Sequence, residues 1–191
     1  SCLTPENHYR EGSIGIPFPG NYFKMVYPGT QDEVPIGEDG EICVSGPTVM
    51  LGYLNNEKET NEVLQRHKDK RIWLHTGDIA CRDADGNYRI TGRLKDMIIR
   101  GGENIYPREI EEFIFTHPGV RDVQVIGVPD KKYGEEVMAC IILKEKGSVT
   151  EEEMTAYIMA SMARHKVPRY IRFVDAFPMN AAGKVLKYKM R

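Results

Sequence analysis

Short runs of apolar residues, separated by turn residues, characterise the first half of the chain. They are rich in β-branched or aromatic residues, which predicts short strands. Asp39-Gly40 predicts a tight turn between two of them, because glycine accepts the positive φ that such turns require. One helix is expected over 57–66, with Asn56 as its cap. The expected strands are 21–26, 40–45 and 88–91.

In the second half of the chain, apolar residues recur with the spacing of a helix. Ile110 and Ile114 share a face of a helix that is expected to begin at Pro107 and to end near residue 117. Thr150 and Glu153 have the spacing of a capping box, which predicts a second helix reaching about residue 164. The tail after Pro178 is expected to be a loop. The expected strands are 122–128, 136–144 and 170–174.

The change of pattern indicates two domains and an α+β fold. Residues 1–93 are expected to form a β-rich region, and residues 94–191 a small α+β domain. The element order β-α-β-β-α-β of the second domain places its helices on one face of a sheet. The boundary is placed at 93–95, where Lys95 and Asp96 fit a hinge as well as they fit a charged linker.

Composition narrows the function classes. The 191 residues are 41% hydrophobic and 28% charged, which is typical of a soluble globular protein. The longest apolar run, 137–143, is too short for a membrane-spanning helix, and residues 1–12 contain no secretory signal. The net charge of −2 argues against nucleic-acid binding.

The cysteines and histidines predict neither a metal site nor a disulfide framework. Four cysteines are widely scattered without a C-x-x-C pair, and the five histidines lack ligand spacing. This usage favours a reducing, cytoplasmic location. Basic residues cluster instead from Arg164 to the end of the chain, where Asp175 is the single acid. The cluster fits either a solvated tail or a local site for a small polyanion such as a nucleotide.

Three glycine-containing stretches could carry chemistry. The carboxylate of Asp78, in Thr76-Gly77-Asp78, can accept two hydrogen bonds from a ribose diol, although an isolated turn would look the same. The pair Gly101-Gly102 lets a ligand approach the backbone, or forms a turn ahead of the helix at Pro107. Lys184, next to Gly183, can deliver a positive charge to a phosphate, or simply face solvent.

Together with a fourth stretch, GEICVSGP at 40–47, these motifs resemble the C-terminal motifs of the acyl-adenylate-forming superfamily. This superfamily contains acyl-CoA synthetases, peptide-synthetase adenylation domains and luciferases. The resemblance covers essentially the whole chain, and its most specific part is GRLKDMIIRGGENIYPREIE at 92–111. The sequence of this motif resembles the CoA ligases more than the domains that load carrier proteins.

The resemblance implies roles for individual residues. Asp78 would bind the ribose hydroxyls of ATP, Ile90 would line the nucleotide pocket, and Arg93 would contact the ribose and phosphates. Lys95 would be the pivot about which the C-terminal domain rotates between two half-reactions. Lys184 would stabilise negative charge during adenylation. Gly101 and Gly102 would leave a path for the pantetheine arm, and Lys166 and Arg169 would bind the phosphates of coenzyme A.

The resemblance also implies what the chain lacks. The family's Ser/Thr/Gly-rich phosphate loop and its Y-G-x-T-E stretch, whose glutamate handles Mg²⁺, do not occur in this sequence. The chain is therefore expected to be a C-terminal fragment, comprising the distal part of an AMP-binding domain (1–93) and the mobile C-terminal domain (94–191). It is expected to be inactive alone and to need the preceding N-terminal domain, ATP, Mg²⁺, coenzyme A and a fatty or aryl carboxylic acid. An adenylation domain that loads a carrier protein, and a non-catalytic nucleotide- or CoA-binding module, remain alternatives.

Overall fold

The structure is a computed structural model, which describes Arg10 and residues 12–191. The chain divides into two compact units, Ser1–Lys95 and Asp96–Arg191. The boundary predicted from the sequence lies slightly earlier, at 93/94. None of the helices described is both long and apolar enough to cross a membrane.

The first unit is built on one antiparallel sheet of five strands in the order β1-β2-β4-β3, with β5 also paired to β4. Met25, Ile42, Ala80 and Tyr88 form its main core cluster. The elements are β1 (Tyr22–Val26), β2 (Asp39–Ser45), α1 (Glu57–Val63), β3 (Leu64–Arg66), β4 (Ile72–Arg82) and β5 (Tyr88–Arg93).

Three expectations for this unit are wrong. Asp39 and Gly40 do not form the expected tight turn, because both residues belong to β2; the turn precedes them, at Gly37, whose φ is +92°. The helix expected over 57–66 ends at Val63, because the next three residues pair with β4 as a strand. The long strand β4 was not expected, because residues 72–82 mix polar and apolar side chains. Asp78 consequently lies inside a strand and not in an isolated turn.

The Thr76-Gly77-Asp78 motif forms a bulge in β4. Opposite it on β2, the register jumps from the pair Glu41–Ile79 to the pair Cys43–His75. Gly77 has a φ of +70°, in the left-handed region that favours glycine. Bulges of this kind redirect side chains and often lie next to functional sites.

One edge of β4 is interrupted at this bulge. β3 pairs with β4 as far as Leu74, and β5 begins to pair at Asp78, while β2 follows the opposite edge. No described strand therefore pairs with His75, Thr76 or Gly77 on that edge. The hydroxyl of Thr76 stabilises the segment, since it donates to the Ile42 carbonyl (2.7 Å) and accepts from the backbone N–H of Asp78 (3.1 Å).

The second unit is a five-stranded mixed sheet in the order β10-β9-β6-β7, with β8 paired to β9. Along β9, Val137, Ala139 and Ile141 belong to the core shared with the helices, as the α+β prediction expected. The elements are β6 (Ile98–Arg100), β7 (Glu103–Ile105), α2 (Pro107–Phe115), β8 (Val120–Asp130), β9 (Gly134–Leu143), α3 (Glu151–Met159) and β10 (Tyr170–Phe173).

Three details of this unit differ from the prediction. A hairpin, β6-β7, precedes α2, so the order β-α-β-β-α-β omitted one strand. The helix α3 ends at Met159, well before 164, and the chain turns so that Met162 and Val167 pack against the core. The tail is more than a loop, because Met190 is buried in the cluster on the other face of β9.

We predict that Gly77→Ala destabilises the chain by about 1 kcal/mol, the cost of placing an L side chain in the left-handed region. A Cβ at Gly77 would meet nothing within 4 Å, so the expected loss comes from the backbone and not from a clash. Gly77→Asn is the matched control and should lose less, because asparagine tolerates this conformation. Urea denaturation of the chain measures both values; equal losses would contradict the backbone explanation.

Candidate functional site

Asp78 and Arg93 face each other on β4 and β5 and form an ion pair. The Nε of Arg93 donates to Oδ1 of Asp78 at 2.9 Å. The two side chains are 31% and 49% exposed, so both are within reach of a ligand in solvent. Within the described part of the chain, Oδ2 of Asp78 has no hydrogen-bond partner and is available as an acceptor. The structure thus brings together two of the residues that the resemblance assigns to the nucleotide.

A cavity of about 340 Å³ opens at the interrupted edge of β4. Its lining includes Glu41, His75, Thr76, Gly77 and Leu94. The walls next to the bulge are therefore backbone, a carboxylate and an imidazole.

Ile90 and Lys95 occupy different positions from this pair. Ile90 is half-buried on β5 and packs against the core cluster of the first unit. Lys95 is exposed, lies in a short 3₁₀ helix (Leu94–Asp96) and is the last residue of the first unit. Its position fits a hinge, but its role as a pivot stays a prediction.

Glu41, Cys43 and His75 form a group with metal-ligand chemistry, although the sequence predicted no metal site. Their ligand atoms lie within 4.8 Å of one another, and no other such group of three occurs among residues 10 and 12–191. No local motif indicates this group, because His75 is far from the other two residues along the chain. Burial, and then the nearby Glu41, raise the pKa of the Cys43 thiol to about 12, so the thiol is protonated at neutral pH. Mg²⁺ prefers oxygen ligands and does not suit this set.

In the second unit, Gly101 and Gly102 form the turn of the hairpin β6-β7. Both residues have positive φ, +60° and +91°, as expected for a two-residue hairpin loop. β7 separates this turn from the helix at Pro107, so the turn does not lead directly into the helix. The turn is exposed, and a Cβ at Gly102 would meet nothing within 4 Å, whereas one at Gly101 would lie 3.1 Å from the Tyr133 ring.

A buried carboxylate anchors this hairpin. Glu136 is completely buried, and the guanidinium of Arg100, the last residue of β6, lies 2.7 Å and 3.0 Å from its two oxygens. Arg100 also donates to the carbonyl of His165 at 3.0 Å and thus joins the hairpin to the basic loop at 164–169. Sequence reasoning missed this anchor, because Glu136 lies at the polar start of β9, next to Glu135 and ahead of the apolar run 137–143.

The two residues assigned to the coenzyme A phosphates are already paired. Lys166 lies 2.7 Å from both carboxylate oxygens of Glu109. Arg169 lies 3.5 Å from both Asp130 and Glu136. An incoming phosphate would therefore have to compete with these carboxylates, which reduces the gain in free energy from binding it.

Lys184 lies in a tight turn whose shape is fixed by Asn180. The side-chain oxygen of Asn180 accepts the backbone N–H groups of Ala182 (3.0 Å) and Lys184 (2.9 Å). The Lys184 side chain is exposed, and no described carboxylate pairs with it. Among the three cationic residues assigned in this unit, Lys184 is thus the one available to a new anion without breaking an ion pair.

Comparisons with known proteins identify both units. Residues 109–184 match the family model described as the AMP-binding enzyme C-terminal domain, and residues 1–54 match that of the AMP-binding enzyme. YngI of Bacillus subtilis, whose name proposes an acyl-CoA synthetase, is 52% identical over 95% of this chain and 32% of its own length. The mitochondrial medium-chain acyl-CoA ligase ACSF2 of Danio rerio is 46% identical over 94% of this chain and 29% of its own.

Solved structures agree with these sequence relatives. ATP-bound MatB from Rhodopseudomonas palustris matches with a TM-score of 0.86 and 36% identity, over 94% of this chain and 35% of that one. The o-succinylbenzoate CoA synthetase MenE of Bacillus subtilis, in complex with its acyl-adenylate intermediate, gives a TM-score of 0.86 at 35% identity, over 99% of this chain and 37% of that one. The chain spans about a third of the length of the relatives it matches. The chain contains the C-terminal domain of AMP-binding enzymes, and its first residues match the AMP-binding enzyme family.

Proposed function

We propose that the chain is part of an ATP-dependent carboxylic acid–CoA ligase. The enzyme forms an acyl-adenylate and pyrophosphate, and then acyl-CoA and AMP. The observation that carries the proposal is the exposed pair of Asp78 and Arg93, 2.9 Å apart, whose residue types suit a ribose and its phosphate. The relatives named above, which include CoA ligases, support the choice of acceptor.

In the first half-reaction, Asp78 accepts the ribose hydroxyls and Arg93 lies beside the ribose and phosphates. Lys184 supplies positive charge as the carboxylate of the acid attacks the α-phosphate and pyrophosphate leaves. This is electrostatic catalysis by a positioned cation, because negative charge develops on the phosphate oxygens in the transition state. The Mg²⁺ of the reaction is expected to bind the phosphates and residues outside this chain.

In the second half-reaction, the turn at Gly101 and Gly102 replaces Lys184 near the acyl-adenylate, after rotation about Lys95. The absence of a side chain at Gly102, where a Cβ would meet nothing within 4 Å, leaves room for the narrow pantetheine arm. The thiol of coenzyme A then attacks the acyl carbonyl, and AMP leaves with the bonding electrons of the broken C–O bond. Lys166 and Arg169 remain the candidates for the coenzyme A phosphates, at the cost of exchanging their present partners.

The proposed function is tested with the full-length enzyme, ATP, Mg²⁺ and a panel of aliphatic and aryl carboxylic acids, with and without coenzyme A. We expect an acyl-CoA product for at least one class of acid, identified by mass spectrometry. Acyl-AMP that accumulates unchanged when coenzyme A is added would contradict the CoA-ligase assignment and would point to a carrier protein or another acceptor. Binding of ATP without any acyl product would point to a non-catalytic module.

Lys184→Ala should slow adenylation by about 10²- to 10³-fold, the usual loss for one positioned electrostatic donor. It should spare thioester formation from supplied acyl-adenylate, because Lys184 takes no part in the second step. Each half-reaction is measured separately, by pyrophosphate release and by acyl-CoA formation. Lys189→Ala, at another exposed basic residue of the same tail, is the control and should change neither rate. Equal losses in both steps for Lys184→Ala would remove it from the assigned role.

Gly102→Asn should show the opposite pattern. The new side chain enters open space at the exposed turn, and asparagine tolerates the positive φ better than other residues. We expect slower thioester formation and nearly unchanged adenylation, measured with the same two assays. Gly147→Asn, at another glycine with positive φ (+77°) and open surroundings, controls for the backbone change. A fall in adenylation as large as that in thioester formation would exclude the pantetheine path at this turn.

A further inference from the structure

The carboxylate of Glu41 is buried beneath the bulge that precedes Asp78. Glu41 is 3% exposed, although a buried charge is costly unless each of its oxygens has a partner. Both oxygens bind residues of β4. Oε1 accepts the backbone N–H of Gly77 at 3.0 Å, and Oε2 lies 2.8 Å from Nδ1 of His75. Glu41 therefore bonds to residues 75–77 of β4. On the edge opposite β2, no described strand pairs with these residues.

Two histidines extend this contact into a chain of hydrogen bonds. Nε2 of His75 lies 2.9 Å from Nε2 of His67, which is 4% exposed. Burial, and to a lesser degree the charge of Lys24, lower the pKa of His67, so this imidazole is neutral at pH 7 and carries one N–H. Its Nδ1 is buried and has no hydrogen-bond partner among the described residues.

The unpartnered nitrogen fixes the direction of the chain. A proton on Nδ1 of His67 would be a buried donor without an acceptor, so the proton belongs on Nε2. His67 then donates to Nε2 of His75, which must carry its own proton on Nδ1 and donate it to Glu41. Every donor meets an acceptor, and the chain ends on a carboxylate that also accepts from Gly77.

A network of hydrogen bonds accounts for the group of Glu41, Cys43 and His75 better than a bound metal ion does. Cys43 lies 3.6 Å from Nδ1 of His75 and keeps its proton. A cation at this point would have to displace both that proton and the hydrogen bond between His75 and Glu41. It would also take a carboxylate oxygen from the network that holds the bulge.

We propose that Glu41, oriented by His75 and His67, is a positioning residue for the nucleotide. It fixes the backbone at Gly77 and thereby the direction in which Asp78 presents its carboxylate to the ribose of ATP. The inference rests on the proposed function in one respect, namely that Asp78 binds the ribose hydroxyls. Glu41 itself is buried below the bulge and acts through Gly77.

The decisive variant is Glu41→Gln in the full-length enzyme. Glutamine keeps the shape of the side chain, but its NH₂ group must face one of two donors, Gly77 N–H or His75 Nδ1–H. We expect the Kd and the KM for ATP to rise about tenfold, the loss that corresponds to one hydrogen bond to a charged group. The KM for the carboxylic acid should stay within about twofold of the wild type, because the acid does not contact Asp78.

Three further variants separate positioning from general destabilisation. Met25→Ala leaves a cavity in the core of the same unit and removes none of the side-chain hydrogen bonds at the bulge, so it should lower Tm but leave the Kd for ATP unchanged. His67→Phe keeps a ring but breaks the chain, and it should weaken ATP binding in the same direction as Glu41→Gln, by about threefold. Glu41→Gln combined with Asp78→Asn should weaken binding by less than the product of the single effects, because both act on one contact.

Isothermal titration calorimetry of ATP binding and steady-state kinetics give these values. The inference is overturned if Glu41→Gln binds ATP within about twofold of the wild type, or if Met25→Ala weakens binding as much at an equal loss of Tm. It is also overturned if the effects of Glu41→Gln and Asp78→Asn multiply. In each of these cases, a wild-type enzyme that still makes acyl-CoA leaves the proposed function standing. A wild-type enzyme that binds no ATP would overturn both.

Discussion

The hydrogen bond from the Gly77 N–H to the buried Glu41 carboxylate stabilises the segment on which the first unit's site depends. A strand that bulges away from its neighbours leaves backbone donors and acceptors without strand partners, and buried unpaired groups of this kind are costly. In β4 two of these donors, the N–H groups of Gly77 and Asp78, are satisfied by side chains, namely the Glu41 carboxylate and the Thr76 hydroxyl. The sheet can therefore bend at Gly77 and bring Asp78 beside Arg93.

In the second unit, a buried carboxylate likewise holds a glycine-containing segment, the hairpin β6-β7. The completely buried Glu136 pairs with Arg100, and Arg100 also holds the carbonyl of His165. One carboxylate thus ties the Gly101-Gly102 turn to the basic loop. In both units a buried acid holds a short, glycine-containing segment, which is half-buried at Gly77 and exposed at Gly101-Gly102. This division lets the ligand-facing backbone stay open without losing its geometry.

The basic residues assigned in the second unit differ in how readily they can bind an anionic ligand. Lys166 and Arg169 are paired with carboxylates, whereas Lys184 stands on a turn held by Asn180 and has no described acidic partner. A lysine that must stabilise charge transiently benefits from this arrangement, because no existing ion pair has to break first. For Lys166 and Arg169, binding a phosphate is an exchange of partners, and its net gain is correspondingly smaller.

The sequence by itself determined the fold class, most strands and helices, and the family, because these depend on local periodicity, caps and contiguous motifs. The capping box at Thr150 is present as predicted, and the run at 92–111 identifies the superfamily. Only the tertiary structure decided that residues 64–66 form a strand, that Asp78 lies at a bulge, and that Lys166 is paired. It alone brought Glu41 and His75 together, since they are separated by more than thirty residues and meet only through the register of β2 and β4. Local sequence encodes the elements, whereas the partners of a buried charge depend on which strands pair and in which register.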